Sequence, residues 1–281
     1  LAEIILNEGD LVTAIADPEK LGFVFDGWLL DGEAFDFDTQ VAEDMVLTAK
    51  WAEYVPEGTA ISTPEELIAV ITGQISSGTM YYLANDIEMA GETVIHNTSA
   101  EFSGIFDGNF KTISNLSYSG AGRMGLFRSL KGATVTNLTL KDFNITATND
   151  RAGALAGEVV TDEKTIIKNV TIIDSKVSGA NNNGAGGLVG YIKAPVEIDN
   201  IRISNISVIN NNQAAGGLVG LIDGAKDSNL TILYTQAISN VFITGKIEGP
   251  TRVGGLFGDT ARLVDTTIDK AILDVQLKAS G

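Results

Sequence analysis

From residue 113 onwards, the hydrophobic positions of the chain recur in one pattern around asparagine. The frame is apolar, any, Asn, apolar, any, apolar, as in VTNLTL, IKNVTI and IDNIRI. Apolar residues two positions apart predict a strand with one buried face, but the three-residue step across asparagine breaks that alternation. Because asparagine tolerates left-handed backbone angles, we expect the chain to bend there. The residues are Asn115, Asn137, Asn169, Asn200 and Asn240, which could also stack as an amide ladder.

A glycine-rich apolar phrase accompanies the first pattern. AGGLVG occurs at Ala185 and again at Ala215, and VGGLFG occurs at Val253. Degraded copies precede them, so the central leucine recurs at spacings of 29, 33, 30 and 38 residues. Periods in this range are typical of stacked structural repeats. The aligned leucines are Leu126, Leu155, Leu188, Leu218 and Leu256, and the glycines of the phrase are Gly187, Gly190, Gly217, Gly220, Gly255 and Gly258.

The two phrases together predict an all-β solenoid, in which each coil adds short strands that pair with the coils above and below. Ile145, Val177 and Val208, eight residues past their asparagines, predict a further inward strand position. The glycines would permit a tight or left-handed corner and close backbone approach, with leucine pointing inward. A phosphate-binding loop is the alternative, but the spacing fits neither GxGxxG nor GxxxxGK[ST]. DGAKDSNLTILY, in the longest interval, reads as an inserted loop or hairpin.

Ahead of the repeats, ISTPEELIAVI carries the signals of a short helix. Thr63 is the expected N-cap, Pro64 the first helical residue and Glu66 the partner of Thr63 in a capping box. An open solenoid end exposes apolar surface and unpaired strand edges. We therefore expect this helix and the strand MYYLANDIEM to cover that end.

Charge divides the chain into two regions. The net charge is −17, and residues 1–53 hold 13 acidic and 2 basic side chains. We expect domains at 1–53 and 54–281. This charge disfavours nucleic acid and anionic membranes as partners. We expect no membrane insertion, because no apolar run reaches membrane-spanning length. We also expect a monomer. The ends of the sequence resemble those of a piece of a longer protein.

The phrases around Gly187, Gly217 and Gly255 resemble the GLUG motif of bacterial surface and secreted proteins. FSGIFDGNFKTISNLSY at Phe102–Tyr118 is similar to the opening coil that precedes such motifs. The resemblance covers about residues 58–281. It implies a right-handed parallel β-helix, found in adhesins and in accessory regions of large secreted peptidases, without established catalytic residues.

Residues 22–51 resemble the Listeria-Bacteroides repeat, also called the internalin B-repeat. The resemblance implies a small β-grasp module of bacterial surface proteins. Without the family, FVFDGW and MVLTAKW predict alternating strands that end in Trp28 and Trp51, which we expect to be core aromatics rather than ligand platforms. The matching positions are Gly22, Phe25, Gly27, Trp28, Val46, Leu47, Lys50 and Trp51.

Candidate chemistry is sparse. His96 is the only histidine and there is no cysteine, which argues against a catalytic triad or a histidine-rich zinc site. His96 itself reads as a loop residue. A glycoside-cleaving β-helix is the enzymatic alternative. Turn, capping or solvated roles are the competing interpretation of its candidate acids. These acids are Asp107, Asp142, Asp150, Asp174 and Asp199. Four clustered acidic residues are candidate ligands for calcium: Asp31, Glu33, Asp36 and Asp38. A solvated acidic face is the competing interpretation.

Two asparagine-rich tracts one coil apart offer a contact strip for a sugar or peptide, and plain exposed loops are the favoured competing interpretation. They contain Asn181, Asn182, Asn183, Asn210, Asn211 and Asn212. The sequence therefore predicts a non-catalytic extracellular segment of a bacterial surface or secreted protein. It would serve as a spacer and adhesive module for a host or bacterial glycan or protein. A polysaccharide-cleaving enzyme, or an exosite region of a large secreted peptidase, is the alternative.

Overall fold

A computed structural model of the protein describes residues 3–13, 15–73, 79–96, 99–180, 184–224, 234–261 and 265–279. The chain divides into two compact units, Leu1–Pro56 and Glu57–Gly281. Over the described residues the protein is nearly all-β, with one short helix and extensive parallel sheets. That helix is too short to cross a membrane, and the described ranges hold no other helix that could.

The first unit contains a three-stranded antiparallel sheet. Its strands are β1 (Phe23–Leu30), β2 (Glu33–Ala34) and β3 (Leu47–Glu53), in the order β2-β1-β3. The two longer strands are those predicted from the alternating pattern. Phe25 packs edge-on against both tryptophans, with ring centroids 5.4 Å from Trp28 and 5.8 Å from Trp51. The half-buried indoles thus pack against the aromatic residue of their own sheet.

The second unit consists of short strands that follow one another through every repeat. The opening strands are β4 (Thr59–Ile61), β5 (Met80–Leu83), β6 (Ile87–Glu88), β7 (Ile105–Asp107), β8 (Thr112–Ser114) and β9 (Ser117–Gly120). The next are β10 (Phe127–Leu130), β11 (Thr134–Lys141), β12 (Asn144–Ala147), β13 (Ala152–Gly153), β14 (Ala156–Val160), β15 (Thr165–Ile173) and β16 (Lys176–Gly179). The last are β17 (Ala185–Gly186), β18 (Val189–Lys193), β19 (Val196–Asn210), β20 (Ala214–Gly216), β21 (Val219–Asp223), β22 (Thr235–Gly249), β23 (Arg252–Gly254), β24 (Phe257–Ala261) and β25 (Asp265–Ala279).

Equivalent strands of successive repeats pair in parallel, which builds three sheets. One has the order β10-β14-β18-β21-β24, and another β13-β17-β20-β23. The third runs β4-β5-β7-β11-β15-β19 and continues through β22 and β25. The four repeats that begin at β13, β17, β20 and β23 each add one strand to each sheet, as the 30-residue period predicted, whereas β4, β5 and β7 extend only the third sheet.

Inward-facing apolar residues form columns through the stack. Leu126, Leu155, Leu188 and Leu218 are fully buried and lie in adjacent strand connections, where the Leu155 N–H donates to the Leu188 carbonyl at 3.0 Å. A second column confirms the further inward position predicted from the sequence. It consists of Ile145, Val177 and Val208, which pair in register and are fully buried.

The corner asparagines adopt left-handed backbone angles, with φ between 51° and 58°. Their side chains bond along the stack. Asn169 Nδ2 donates to Asn137 Oδ1 at 2.9 Å, and Asn200 Nδ2 donates to Asn169 Oδ1 at 2.9 Å. At one end of the line Asn137 donates to Asp107, and at the other Asn240 donates to Asp199, the residue before Asn200.

The structure corrects the register of Asn115. Ile113 pairs with Leu140, and the Asn115 N–H donates to the Lys141 carbonyl at 3.0 Å, so Asn115 lies beside Asp142 rather than beside Asn137. Asn115 therefore occupies a second corner. Both corners need the same left-handed backbone, so the sequence phrase alone does not distinguish them.

This second corner, five residues after the first, was not predicted. Asp142, Asp174 and Asn205 have φ of 51–54° there, and Gly245 takes the same place with φ 142°. Asn205 Nδ2 donates to Asp174 Oδ1 at 2.8 Å. The chain thus bends twice per repeat, and polar side chains again bond between neighbouring repeats.

The paired glycines serve close backbone approach. A Cβ on Gly187 would lie 2.1 Å from the Gly217 carbonyl oxygen, and one on Gly217 would lie 2.1 Å from that of Gly255. Of the two predicted corner conformations, the left-handed one does not occur at these positions, because none of the six phrase glycines has a positive φ. At Gly187 and Gly217, lack of space beside the neighbouring backbone excludes a side chain.

The predicted helix α1 spans Pro64–Ile71 and has the expected capping box: Thr63 Oγ1 accepts from the Glu66 N–H, and the Glu66 carboxylate accepts from the Thr63 N–H. Its buried residues join the core of the second unit. MYYLANDIEM differs from expectation, because β5 is an integral strand that pairs with both β4 and β7. Most of the predicted insertion, residues 225–233, lies outside the described residues.

Candidate functional site

The predicted asparagine strip is only partly accessible. Asn210 is buried, with 1% of its surface exposed, and it closes its own turn: Oδ1 accepts from the backbone N–H groups of Asn212 and Gln213, and Nδ2 donates to the Ala214 carbonyl. Its assignment as a ligand contact is therefore wrong. Asn211 and Asn212 are exposed. Asn181, Asn182 and Asn183 lie outside the described residues.

The candidate catalytic acids have structural partners. Asp107 Oδ1 accepts from the Asn109 N–H at 2.8 Å and from Asn137 Nδ2 at 3.1 Å, which stabilises a turn and the end of the ladder. Asp199 accepts from Ser239 and Asn240. Burial would raise the pKa of Asp199, but these hydrogen bonds lower it overall. Asp142 and Asp174 form the second corner.

The acidic connection of the first unit is an exposed turn. Asp31 has a left-handed backbone, and Asp36 Oδ1 accepts from the Asp38 N–H at 3.0 Å. Glu33 pairs through its backbone with Leu30. Among the described residues, no group of three or more Asp, Glu, His or Cys side chains is gathered so as to hold a metal ion.

His96 lies in a loop, as expected, but it is largely enclosed. Nδ1 lies 3.1 Å from the Ile71 carbonyl oxygen, and Nε2 lies 2.7 Å from the Tyr118 hydroxyl and 3.1 Å from the Gly125 carbonyl oxygen. Burial lowers the pKa of His96, and the positive charge of Arg128 acts in the same direction. Burial also raises the pKa of Tyr118. This neutral pair connects the end of α1 to the first repeats.

Sequence reasoning missed a group of charged residues on β14 and on the connections before β10 and β13. We call Arg123, Arg151 and Glu158 the arginine cluster. Arg123 Nη1 lies 2.6 Å from Glu158 Oε1, and Arg151 Nη1 donates to Glu158 Oε2 at 2.7 Å. Ser129 on β10 also donates to Oε1, at 3.2 Å. One buried carboxylate thus holds two guanidinium groups.

Further contacts extend the arginine cluster across the next repeats. The Arg151 guanidinium lies 4.1 Å from the centroid of the Tyr191 ring, and the Tyr191 hydroxyl donates to Asp223 Oδ2 at 2.8 Å. Asp150 accepts from the Arg151 side chain at 3.2 Å. Met124 bridges Ala152, so the preceding residues Arg123 and Arg151 occupy equivalent places in adjacent repeats. The leucine spacing of 29 residues does not predict this superposition, because Arg123 and Arg151 are 28 residues apart.

These observations define the class of the chain: a nearly all-β protein built from stacked repeats, with a small antiparallel unit before them. Residues 3–50 match the Listeria-Bacteroides repeat domain family, which confirms the predicted resemblance for this segment.

Two curated proteins share about a third of their residues with the matched part of this chain. Halomucin of Haloquadratum walsbyi is 33% identical over 163 residues, which cover 51% of this chain and 2% of halomucin. The immunoglobulin A1 protease of Streptococcus sanguinis is 35% identical over 159 residues, which cover 54% of this chain and 8% of the protease. The chain therefore spans only a small share of these relatives. A crystal structure of an immunoglobulin A1 protease-like protein from Bacteroides ovatus has a TM-score of 0.48 and 16% identity, over 79% of this chain and 86% of that one.

Proposed function

We propose that this chain is a non-catalytic segment of a large bacterial surface or secreted protein, where it acts as a rigid spacer and an adhesive module. The repeats would form a right-handed β-helix of the GLUG type, corresponding to the predicted domain 54–281. Residues 1–53 would form a β-grasp module. The observation that carries the proposal is the inward column of Leu126, Leu155, Leu188 and Leu218, each fully buried in the core of the second unit.

Such a stack resists bending because every repeat is bonded to the next by backbone and by corner side chains. The main sheet has eight successive strands from β4 to β25. At about 4.8 Å per strand it extends roughly 34 Å along the stacking direction. Solenoids use their long outer faces, rather than one pocket, to contact partners. This geometry suits a segment that holds an adhesive surface away from its anchor.

The relatives support an extracellular setting. A protease named for immunoglobulin A1 meets that antibody outside the cell, and the part of it that this chain matches is a small fraction of its length. We propose a host or bacterial glycan or protein as the partner and a monomer as the working state. The hydrogen-bonding roles of Asp107 and Asp199 favour this proposal over glycoside cleavage.

A paired screen of glycan binding and glycan cleavage tests the proposal on the full chain. We expect saturable binding to immobilised glycans or host proteins and no release of reducing ends. Asp107→Asn and Asp199→Asn serve as the informative variants, with Asp269→Asn, an exposed position on β25, as the control. Turnover that disappears in either of the first two variants would replace the adhesive proposal with an enzymatic one. Absence of both binding and turnover would leave only the spacer role.

A further inference from the structure

β25 is the outermost described strand of the third sheet, and its inward-facing side chains are only half covered. It pairs with β22, and no described strand pairs with its other edge. Ile268, Leu273 and Leu277 are 47%, 42% and 52% exposed, whereas their partners on β22 are at most 2% exposed. Those partners are Ile238, Ile243 and Ile247. The core columns therefore reach an open end face, which consists of β23, β24 and β25.

The backbone of the glycine phrase shows what kind of partner fits this end face. In the preceding repeats the phrase donates to the next repeat. The Leu188 N–H donates to the Leu218 carbonyl at 2.9 Å, and the Leu218 N–H donates to the Leu256 carbonyl at 2.9 Å. Among the described residues, no backbone carbonyl accepts from the Leu256 N–H. An apolar face with an unpaired backbone donor fits an extended backbone that supplies a carbonyl at the same place.

Gly255 leaves room for a backbone that the described residues do not supply. A Cβ on Gly187 or Gly217 would lie 2.1 Å from the carbonyl oxygen of the next phrase glycine. The nearest atom to a Cβ on Gly255 is instead Leu273 Cδ1, at 2.9 Å, which is the far end of an exposed side chain. A side chain would therefore fit at Gly255 after a small movement of Leu273. The glycine is explained if a carbonyl of a further repeat lies above it, as at the other two positions.

We propose that this end face docks one further coil of the same repeat type, contributed by the large protein of which this chain is a segment. The inference rests on the proposed function, and it extends the spacer beyond β25. The coil would pair a parallel strand with β25, with apolar side chains above Ile268, Leu273 and Leu277. It would also place carbonyl groups above Gly255 and Leu256.

A second copy of this chain is the competing occupant of the end face. Two copies related by a twofold axis would pair their β25 strands antiparallel. An antiparallel pair spaces its hydrogen bonds differently from the parallel pairs that build every other step of this stack. The phrase donors therefore favour a parallel coil over a second copy.

The experiment extends the full chain after Gly281 with a copy of residues 182–210, which contain one complete phrase and the strand that follows it. The copied leucine then lies nine residues after Ala279, as Leu188 lies nine residues after Gly179 in its own repeat. A control extension carries two substitutions in the copied strand, Ile198→Asp and Ile203→Asp. These place charges where the coil would contact the apolar columns.

Hydrogen exchange of the Leu256 amide, followed by NMR, is the first measurement. We expect the extension to slow this exchange about tenfold or more relative to the unextended chain, because the amide gains an acceptor and is shielded from water. The extension should also raise the urea midpoint of unfolding. The control extension should change neither quantity.

Gly255→Ala tests the room above the phrase. In the unextended chain it should shift the urea midpoint little, since Leu273 can move aside. In the extended chain it should abolish the slowed exchange at Leu256, because the Cβ would meet the docked backbone. Gly120→Ala on β9 is the matched control and should leave the slowed exchange intact.

Analytical ultracentrifugation of the unextended chain tests the second copy as occupant. The inference would be overturned by a dimer in which Leu256 is protected, or by a Leu256 amide already protected in the unextended monomer. An extended chain that does not fold, or that exchanges as fast as the control extension, would also overturn it. The glycan screen is separate from these measurements, so their failure and the failure of the adhesive function can be told apart.

Discussion

Asn169 donates a 2.9 Å hydrogen bond to the side chain of Asn137, although 32 residues separate them in the chain. Both residues have left-handed backbones. The same side chain therefore has two tasks: it allows the corner, and it bonds the corner to the preceding repeat. Asn200 bonds to Asn169 in the same way, so the amides form a continuous line from Asn137 to Asn200.

These two tasks can be separated by substitution at Asn169. We expect Asn169→Ala to lower the free energy of unfolding by about 2–3 kcal/mol, because it loses the amide bonds and places a Cβ residue in the left-handed region. Asn169→Gly should cost about half as much, since glycine keeps the backbone conformation. Urea denaturation midpoints measure both. Asn144→Ala, an exposed strand asparagine, is the control, and equal midpoints for the alanine and glycine variants would contradict the two-task account.

Close approach at the glycine phrase leads to a second prediction. Gly187→Ala places a Cβ 2.1 Å from a backbone oxygen that cannot move without shifting the next repeat. We expect destabilisation of at least about 3 kcal/mol, or failure to fold, as for severe overpacking. Gly120→Ala is the matched control, because its Cβ would meet only the flexible end of Met124 at 2.8 Å. Comparable thermal midpoints for the two variants would refute the role of space at Gly187.

Much of the second unit could be predicted from sequence because its signals are local and repeated. A buried leucine at Leu155 and Leu188, and a corner asparagine at Asn137 and Asn169, recur at the spacing of one repeat. The sequence assigns Asn115 to the wrong corner, because both corners of a repeat require a left-handed backbone and the same residue types therefore suit either one. The repeat period can thus be predicted from the sequence, but the position of a residue within its repeat can be assigned only when its strand-pairing partner is known.

Side-chain networks were harder to predict. Asn210 reads as an exposed loop residue, but its amide closes the turn from the inside. The arginine cluster joins Arg123, Arg151 and Glu158 through contacts between repeats. No common sequence motif links these three residues. Such contacts depend on which outward positions meet across the stack, and only the strand register fixes that.

His96 makes stability depend on pH. Its pKa is lowered in the folded protein from an ordinary value of 6.5, so the unfolded chain binds the proton more readily. Stability is therefore full above about pH 6.5 and declines as the pH falls toward the lowered folded-state pKa. Arg128 is the charged neighbour that adds to this effect, while the carbonyl groups of Ile71 and Gly125 oppose it.

The measurement is the urea midpoint between pH 5.5 and 7.5, for the unchanged protein and for His96→Gln. We expect the difference between the two to shrink or reverse as the pH falls, because the glutamine cannot take up a proton. Burial raises the pKa of Glu158, which acts in the opposite direction but equally in both proteins. A difference that stays constant across this range would show that His96 does not titrate on unfolding.

The stacking itself predicts an unequal response of equivalent leucines. Leu188 is fully buried between repeats, whereas Leu256 is only partly buried, next to the last described strand β25. Leu188→Ala should cost about 3 kcal/mol through lost burial and a cavity, and Leu256→Ala about half of that. Urea midpoints at constant m-value measure the costs. Equal losses of unfolding free energy for the two variants would contradict this account. They would show that burial between neighbouring repeats does not determine how much each leucine stabilises the protein.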